Sequence, residues 1–287
     1  MSVAQQQIHA APFDALAARY DETFTSSKIG QAQRTAVWKE LAKTFNPGDL
    51  TLEIGCGTGV DACFLAGRAV RVVACDSSSR MIDVTMHRVQ EKGLQKLVTP
   101  LVLRAEDIAS LPGSPPGTLP GTLPGTLPGK ELFDGAFSNF GVLNCIGDLR
   151  RLALDLAALL KPGATALLCW MGPWCLWEMV WYLSSGQQGT AFRRLHRHGV
   201  TAKLADGAFV RVRYPSVKQL ARVFAPEFRL KAVKGIGIAV PPSYVEPRAQ
   251  RHPRLLKLCE RADSVMGRVP GIRLLADHVL VRLQRCD

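Results

Sequence analysis

Leu50-Thr51-Leu52-Glu53-Ile54-Gly55-Cys56-Gly57-Thr58-Gly59-Val60 is a short apolar run that breaks at three alternating glycines and gives way to a helical pattern. It reads as a strand, a tight turn and a helix start. Glycine permits positive φ and close backbone approach, and a helix N-terminus presents unpaired N–H donors, so such a turn cradles a nucleotide-like ligand. A dinucleotide fingerprint needs its last glycine where this chain has Val60, one place beyond Gly59. Glu53, two residues before the first glycine, puts an acid at the mouth of the turn. There it would repel a pyrophosphate and suit an ammonium group, which favours a nucleoside that carries an amino acid.

From Glu53 to Gly59 the chain resembles the class I S-adenosylmethionine-dependent methyltransferases, whose first motif is Glu/Asp-x-Gly-x-Gly-x-Gly. The following segments keep the same order. Val60 to Arg68 is a helical pattern, and residues 69–75 are a near-continuous apolar run of the kind found in buried parallel strands. Asp76 ends that run, where an acid can accept both hydroxyls of a ribose; its other reading is as the cap of the helix that begins at Ser77-Ser78-Ser79, a use that Ser79 could equally serve. A helix to Lys92 stops at Gly93, and Leu97 to Leu103 gives a third strand. In Arg104-Ala105-Glu106-Asp107-Ile108, the resemblance implies that Asp107 holds the adenine amino group and Ile108 packs on the ring.

Phe133 to Phe140 resumes the sheet, and ligands lie at the carboxyl ends of strands in open parallel sheets, so Ser138, Asn139 and Phe140 should approach the reacting centre. This place reads Ser-Asn-Phe-Gly, without the Asn/Asp-Pro-Pro-Tyr/Phe of nucleobase amino methyltransferases. Asp148 to Leu160 is an amphipathic helix, Lys161-Pro162-Gly163 a turn and Ala164 to Trp170 a fifth strand. Two more strands are expected at Phe228–Val240 and His278–Leu283. The alternation predicts an α/β, doubly wound Rossmann-like sheet of seven strands plus a small helical cap, and the resemblance implies that the sheet is mostly parallel with an antiparallel terminal strand. The expected cofactor is S-adenosyl-L-methionine, held by Tyr20, Glu53, Gly55, Cys56, Gly57, Gly59, Asp76, Ser77, Met81, Glu106, Asp107, Ile108, Ser138, Asn139 and Phe140. Tyr20 belongs to a Phe13, Asp14, Ala17, Ala18, Tyr20, Asp21 pattern that approximates a segment which, in the resembled family, commonly closes over the cofactor.

The 287 residues, 47% of them apolar, suffice for one α/β domain with a cap. Residues 1–48 read as a helical cover, 49–171 as the cofactor-binding half, 172–215 as a cap insertion and 216–287 as the rest of the sheet with an added helix. Within the second part, 112–130 is a low-complexity insertion in which Gly-Thr-Leu-Pro recurs three times. No run approaches the roughly 20 apolar residues of a membrane span, and no signal-peptide pattern leads the chain. Eight cysteines without Cys-x-x-Cys spacing argue for reduced thiols and against a disulfide framework or metal site. A cytoplasmic protein is expected.

Charge divides the chain. Residues 1–160 carry net −1, whereas residues 161–287, with 21 Lys/Arg against 8 Asp/Glu, carry +13. Such a field attracts acidic substrates, nucleic acid or an anionic membrane, or serves only as a solvated face. In the cap, Trp174, Trp177, Glu178, Trp181 and Tyr182 make an aromatic helix face, followed by Arg193, Arg194 and His196. With Tyr244 of the tail, Trp174, Trp177, Glu178, Arg193, Arg194 and His196 are the candidate substrate-binding residues. Leu255, Leu256, Leu258 and Val265 predict a tail helix that docks on the fold.

No catalytic residue is forced, because in-line methyl transfer depends chiefly on alignment; His196, His198, His252, Glu178 and Tyr244 are bases by residue type only. The overall pattern is most similar to the ubiquinone and menaquinone methyltransferase branch, which implies a small, partly apolar acceptor. The competing readings are a nucleic-acid-binding protein or RNA methyltransferase that uses the basic half, a non-catalytic S-adenosylmethionine-binding protein, and a dinucleotide oxidoreductase.

Overall fold

Every residue of β1 (Leu50–Ile54) is buried, as the centre of a sheet covered on both faces requires. Around it the computed structural model describes residues 11, 13–111, 132–204 and 207–287. The expected insertion at 112–130 lies outside the described residues. A cover of short helical turns from Asp14 to Thr25 leads into α1 (Lys28–Thr44), β1, α2 (Val60–Ala66), β2 (Arg71–Asp76), α3 (Ser79–Glu91) and β3 (Val98–Val102). The chain then runs through β4 (Phe133–Ser138), α4 (Leu149–Leu159), β5 (Leu160–Met171), α5 (Leu176–Ser184), β6 (Val200–Lys203) and β7 (Phe209–Val212). It ends with α6 (Val217–Phe224), β8 (Phe228–Ile236), α7 (Pro253–Met266) and β9 (His278–Arg285).

The main sheet has seven strands in the order β3-β2-β1-β4-β5-β9-β8. Only β9 opposes its neighbours, inserted between β5 and β8 and antiparallel to both. The order reverses between β1 and β4, so a crevice opens outside their carboxyl ends. One face of the sheet packs Ile108, Leu143, Leu152, Leu156 and Phe224. The other packs Val37, Leu41, Ala62, Leu65 and Ile82.

Four local readings are revised. Ser78, not Ser79, caps α3: its Oγ accepts the Met81 N–H at 3.1 Å. Lys161-Pro162-Gly163 is not a separate turn but lies in β5 beside a register irregularity against β4, with Gly163 at φ +77°. The cap is not purely helical, because β6 and β7 pair as an antiparallel hairpin. In α7 only Leu256 of the four expected docking positions is buried, while Leu255, Leu258 and Val265 face outward. The thiols of Cys56, Cys63, Cys75 and Cys169 are buried and unpaired to one another, as small apolar fillers.

Candidate functional site

The glycine turn sits at the reversal point of the sheet. Gly55, Gly57 and Gly59 have φ of +70°, +53° and +71°, a region closed to most L-residues. They differ in what a side chain would meet. A Cβ on Gly55 would lie 2.3 Å from Val142 Cγ2, and one on Gly59 would lie 2.5 Å from Thr85 Cγ2; on Gly57 it would meet nothing within 4 Å. The outer glycines therefore serve packing, and the middle one faces open space.

Those roles separate in mutants. Gly55→Ala is expected to cost about 2–3 kcal/mol of stability through overpacking and a strained φ. Gly57→Ala should cost about 1 kcal/mol, from strain alone, yet weaken donor binding about tenfold by filling the cradle. Denaturant unfolding and calorimetric titration check the two; equal stability losses would contradict the distinction.

Asp76, at the end of β2, accepts the N–H of Gly57 at Oδ2 and of Ser78 at Oδ1, both at 2.9 Å. Burial raises its pKa in spite of these donors. Glu53 is buried, and its Oε2 has no hydrogen-bond partner among the described residues. Burial, reinforced by Asp61 and opposed by Arg34, pushes this carboxyl well above the usual range. Asp61 itself accepts from Arg34 Nη1 (2.6 Å), Trp38 Nε1 (2.7 Å) and Asn139 Nδ2 (2.9 Å). One carboxylate thus joins α1, α2 and the loop after β4. Asn139 Oδ1 is a second buried acceptor lacking a partner among the described residues.

The N-terminal cover closes on this cradle by its acids. Asp14 accepts from Ser78 Oγ (2.5 Å), and Asp21 from Thr58 Oγ1 (2.7 Å) and Arg88. Burial would raise the Asp21 pKa, but the Thr58 hydrogen bond and Arg88 hold it below the ordinary value. Tyr20 is raised by burial, with Asp61 and Asp76 adding and Arg34 opposing, which places its hydroxyl among the same charges. Phe24 meets Phe140 edge-on at 5.2 Å, and Phe140 meets His278 at 5.4 Å. The Arg34 guanidinium carbon lies 5.5 Å and 5.0 Å from the Phe24 and Phe140 ring centres. Phe140 adopts φ +52°, an uncommon conformation for a phenylalanine, and Ser138 Oγ donates to the Ile54 carbonyl at 2.8 Å.

Further round the crevice, Ile108 and Met81 are buried, Cys56 is buried within the turn, and Ser77, Glu106 and Asp107 are exposed. An unpartnered buried carboxylate oxygen, an open glycine cradle and an acid at the end of β2 fit an ammonium-bearing nucleoside. Among the described residues, no group of three or more His, Cys, Asp or Glu is placed to hold a metal ion.

The family model described as a methyltransferase domain matches residues 52–166, the stretch that builds this cradle and the strands behind it. This stretch is a class I S-adenosylmethionine-dependent methyltransferase domain. The methyltransferase is 25% identical over 210 residues to a 2-phytyl-1,4-naphtoquinone methyltransferase of Trichormus variabilis, covering 71% of this chain and 78% of the relative. To the tRNA 5-carboxymethoxyuridine methyltransferase of Escherichia coli it is 28% identical over 102 residues, 34% of this chain and 39% of the relative. The fold matches the CcbJ methyltransferase of Streptomyces caelestis with a TM-score of 0.59 at 16% identity, over 97% of this chain and 99% of that one.

In the cap of the methyltransferase, the expected substrate residues divide. Glu178 is buried and accepts from Arg193 Nε at 2.5 Å and Arg194 Nε at 2.8 Å. Arg194, also buried, donates to Asp277 Oδ1 at 2.8 Å. Burial alone would raise the Asp277 pKa, but His278 and Arg194 take it far below the ordinary carboxylate value. These residues are thus paired with one another, and both carboxylate oxygens of Glu178 are engaged by guanidinium groups. His196, His198 and His252 are exposed on the surface. Trp174 is exposed, whereas Trp177 donates from Nε1 to the Ala239 carbonyl at 3.2 Å. Tyr244 packs on Trp181 and Tyr182 at 5.7 and 6.1 Å, and burial pushes its pKa above the usual value.

Sequence reasoning passed over Arg34, Asp61, Asp277 and His278. Asp61 had a signal: an acid one residue inside a helix that is otherwise Val-x-Ala-Cys-Phe-Leu-Ala, a buried polar side chain that needs partners. Arg34 and Trp38 offered none, because their partner comes 27 and 23 residues later.

Proposed function

We propose that this methyltransferase methylates a small, partly apolar acceptor of aromatic or quinol character. The observation that carries the proposal is the ring wall beside the donor cradle, formed by Phe24, Phe140 and His278. Apolar, aromatic walls with few polar groups suit such an acceptor. Glu178 and Asp277 already engage the cap arginines, so the cap does not select strongly for an acidic group. The naphthoquinone relative supports the same reading over twice the share of the chain that the tRNA relative spans.

S-adenosylmethionine, when bound, supplies a sulfonium-activated methyl group for attack by the acceptor. Glu53 would hold the donor's ammonium group, Asp76 its ribose hydroxyls, and Asp107 with Ile108 its adenine; Tyr20, Ser77, Met81 and Glu106 would complete the rim. The rings of Phe24 and Phe140 keep water from the reacting end, so alignment supplies most of the rate. His278, with Nδ1 3.4 Å from Asp277 Oδ2, ties this ring wall to the carboxylate that Arg194 also engages.

Incubation with methyl-labelled S-adenosylmethionine, a panel of catechols and reduced naphthoquinones, and transfer RNA tests the reading. Label is expected in a ring-bearing small molecule. Label confined to RNA would overturn the acceptor class.

A further inference from the structure

α7 turns to solvent a face that nothing in the described fold covers. Leu255, Leu258 and Val265 are 58%, 60% and 66% exposed, and their spacing puts them on one stripe of the helix. Val269 and Ile272 extend the apolar exposure beyond its end. Arg254, Lys257 and Arg261 form the adjoining row, and none of the three makes an ion pair among the described residues. A leucine row left in water beside an unneutralised basic row calls for an occupant that satisfies both.

The helix cannot roll to bury the stripe. On its inward face Leu256 is buried, and buried Asp263 accepts the N–H groups of Gly237 and Ile238 at 3.1 Å and of Ala239 at 2.5 Å. Gly235 N–H donates to the Gly267 carbonyl at 2.8 Å, fixing the helix end to β8. A second exposed row, Leu176, Val180 and Leu183 of α5, belongs to a helix joined to α7 through one small core, in which Trp181 and Cys259 pack against Val245, Ala249 and Leu256.

From this placement we infer that α7 docks on an anionic lipid bilayer. A rigid helix with an apolar row flanked by Lys and Arg lies in the plane of a membrane surface, leucines in the headgroup boundary and cations at lipid phosphates. From Glu246 to Leu275 the chain carries seven Lys/Arg against three acids. Of those acids, Asp263 is buried, Glu246 is engaged by the Lys28 and Ile29 amides, and Glu260 is exposed. Self-association through the same face would oppose two rows of like charge, and nucleic acid would leave the leucines exposed. The inference is independent of which acceptor is methylated, and it concerns surface docking, since no described helix is long and apolar enough to cross a membrane.

Co-sedimentation of the full chain with vesicles tests it. The protein is expected to pellet with mixed phosphatidylglycerol and phosphatidylcholine vesicles, to stay in solution with phosphatidylcholine alone, and to be released by high salt. Arg254→Gln, Lys257→Gln and Arg261→Gln should each lower partitioning about fivefold, and Leu258→Glu about tenfold. S-adenosylhomocysteine affinity, unchanged in all four variants, shows that each remains folded. Partitioning that ignores Leu258→Glu would overturn the inference. So would binding of a short RNA duplex in place of vesicles, or a solution dimer that Leu258→Glu dissociates while vesicle binding stays the same.

Discussion

Asp61→Ala is expected to destabilise the protein by about 4 kcal/mol, the usual scale for removing one partner of a buried ion pair. The substitution leaves the buried Arg34 cation uncompensated, and it takes the acceptor from the indole N–H of Trp38 and the amide of Asn139. The cost is high because burial denies those groups water as a replacement. Asp61→Asn retains the shape and one carbonyl acceptor but loses the charge and aims an amide donor at other donors, so its loss should be intermediate. Urea unfolding followed by circular dichroism measures both. A cost for Asp61→Ala below about 1 kcal/mol, the range of exposed pairs, would mean that the cluster is not the clasp between α1, α2 and the loop after β4.

Glu53→Gln should weaken S-adenosylmethionine binding about thirtyfold, some 2 kcal/mol, by replacing the carboxylate proposed to meet the donor's ammonium group with a neutral amide. The same change should act oppositely on the ligand-free protein. Burial raises the Glu53 pKa well above its ordinary value of 4.5. The folded state therefore holds this proton more tightly than the unfolded chain, and the stability it contributes is full below that value and is lost as pH rises through the raised pKa. Glutamine carries no such proton. The ligand-free variant should accordingly lose less stability than the parent over that interval, while its donor affinity is lower throughout. Binding to the parent should release a proton as the carboxyl ionises against the ammonium group. Calorimetry in buffers of different ionisation enthalpy detects that proton; its absence would place the ammonium group elsewhere.

The alternating glycines, the apolar runs and the acids at strand ends made the sheet and the glycine turn at its reversal point readable in order along the chain, because each of those features is a local demand of the backbone. Gly55 shows how far this extends: its positive φ is readable from the motif, but its clearance from Val142 is not, since the two lie 87 residues apart in sequence. Side-chain pairing was harder to read for the same reason. Arg193, Arg194 and Glu178 look like a substrate cluster when taken one by one, and only the docking of the cap against the segment before β9 shows that Asp277 completes an internal network. The tail helix marks the opposite limit. Its leucines predicted docking on the fold, yet the inward face is set by Asp263 and Leu256, and three of the four apolar positions remain outside. A wheel of apolar residues identifies an amphipathic helix without telling which apolar face meets the protein.

Hydrogen–deuterium exchange with and without S-adenosylhomocysteine tests the placement of the donor most directly. Protection is expected at residues 53–59, at Asp76 to Met81, at 105–108 and at Ser138 to Phe140, the segments that meet outside the carboxyl ends of β1, β2, β3 and β4, and to diminish in Glu53→Gln at the same ligand concentration. Protection confined to other segments, such as the α1, β8 and α7 side of the molecule, with the glycine turn unchanged, would contradict the account.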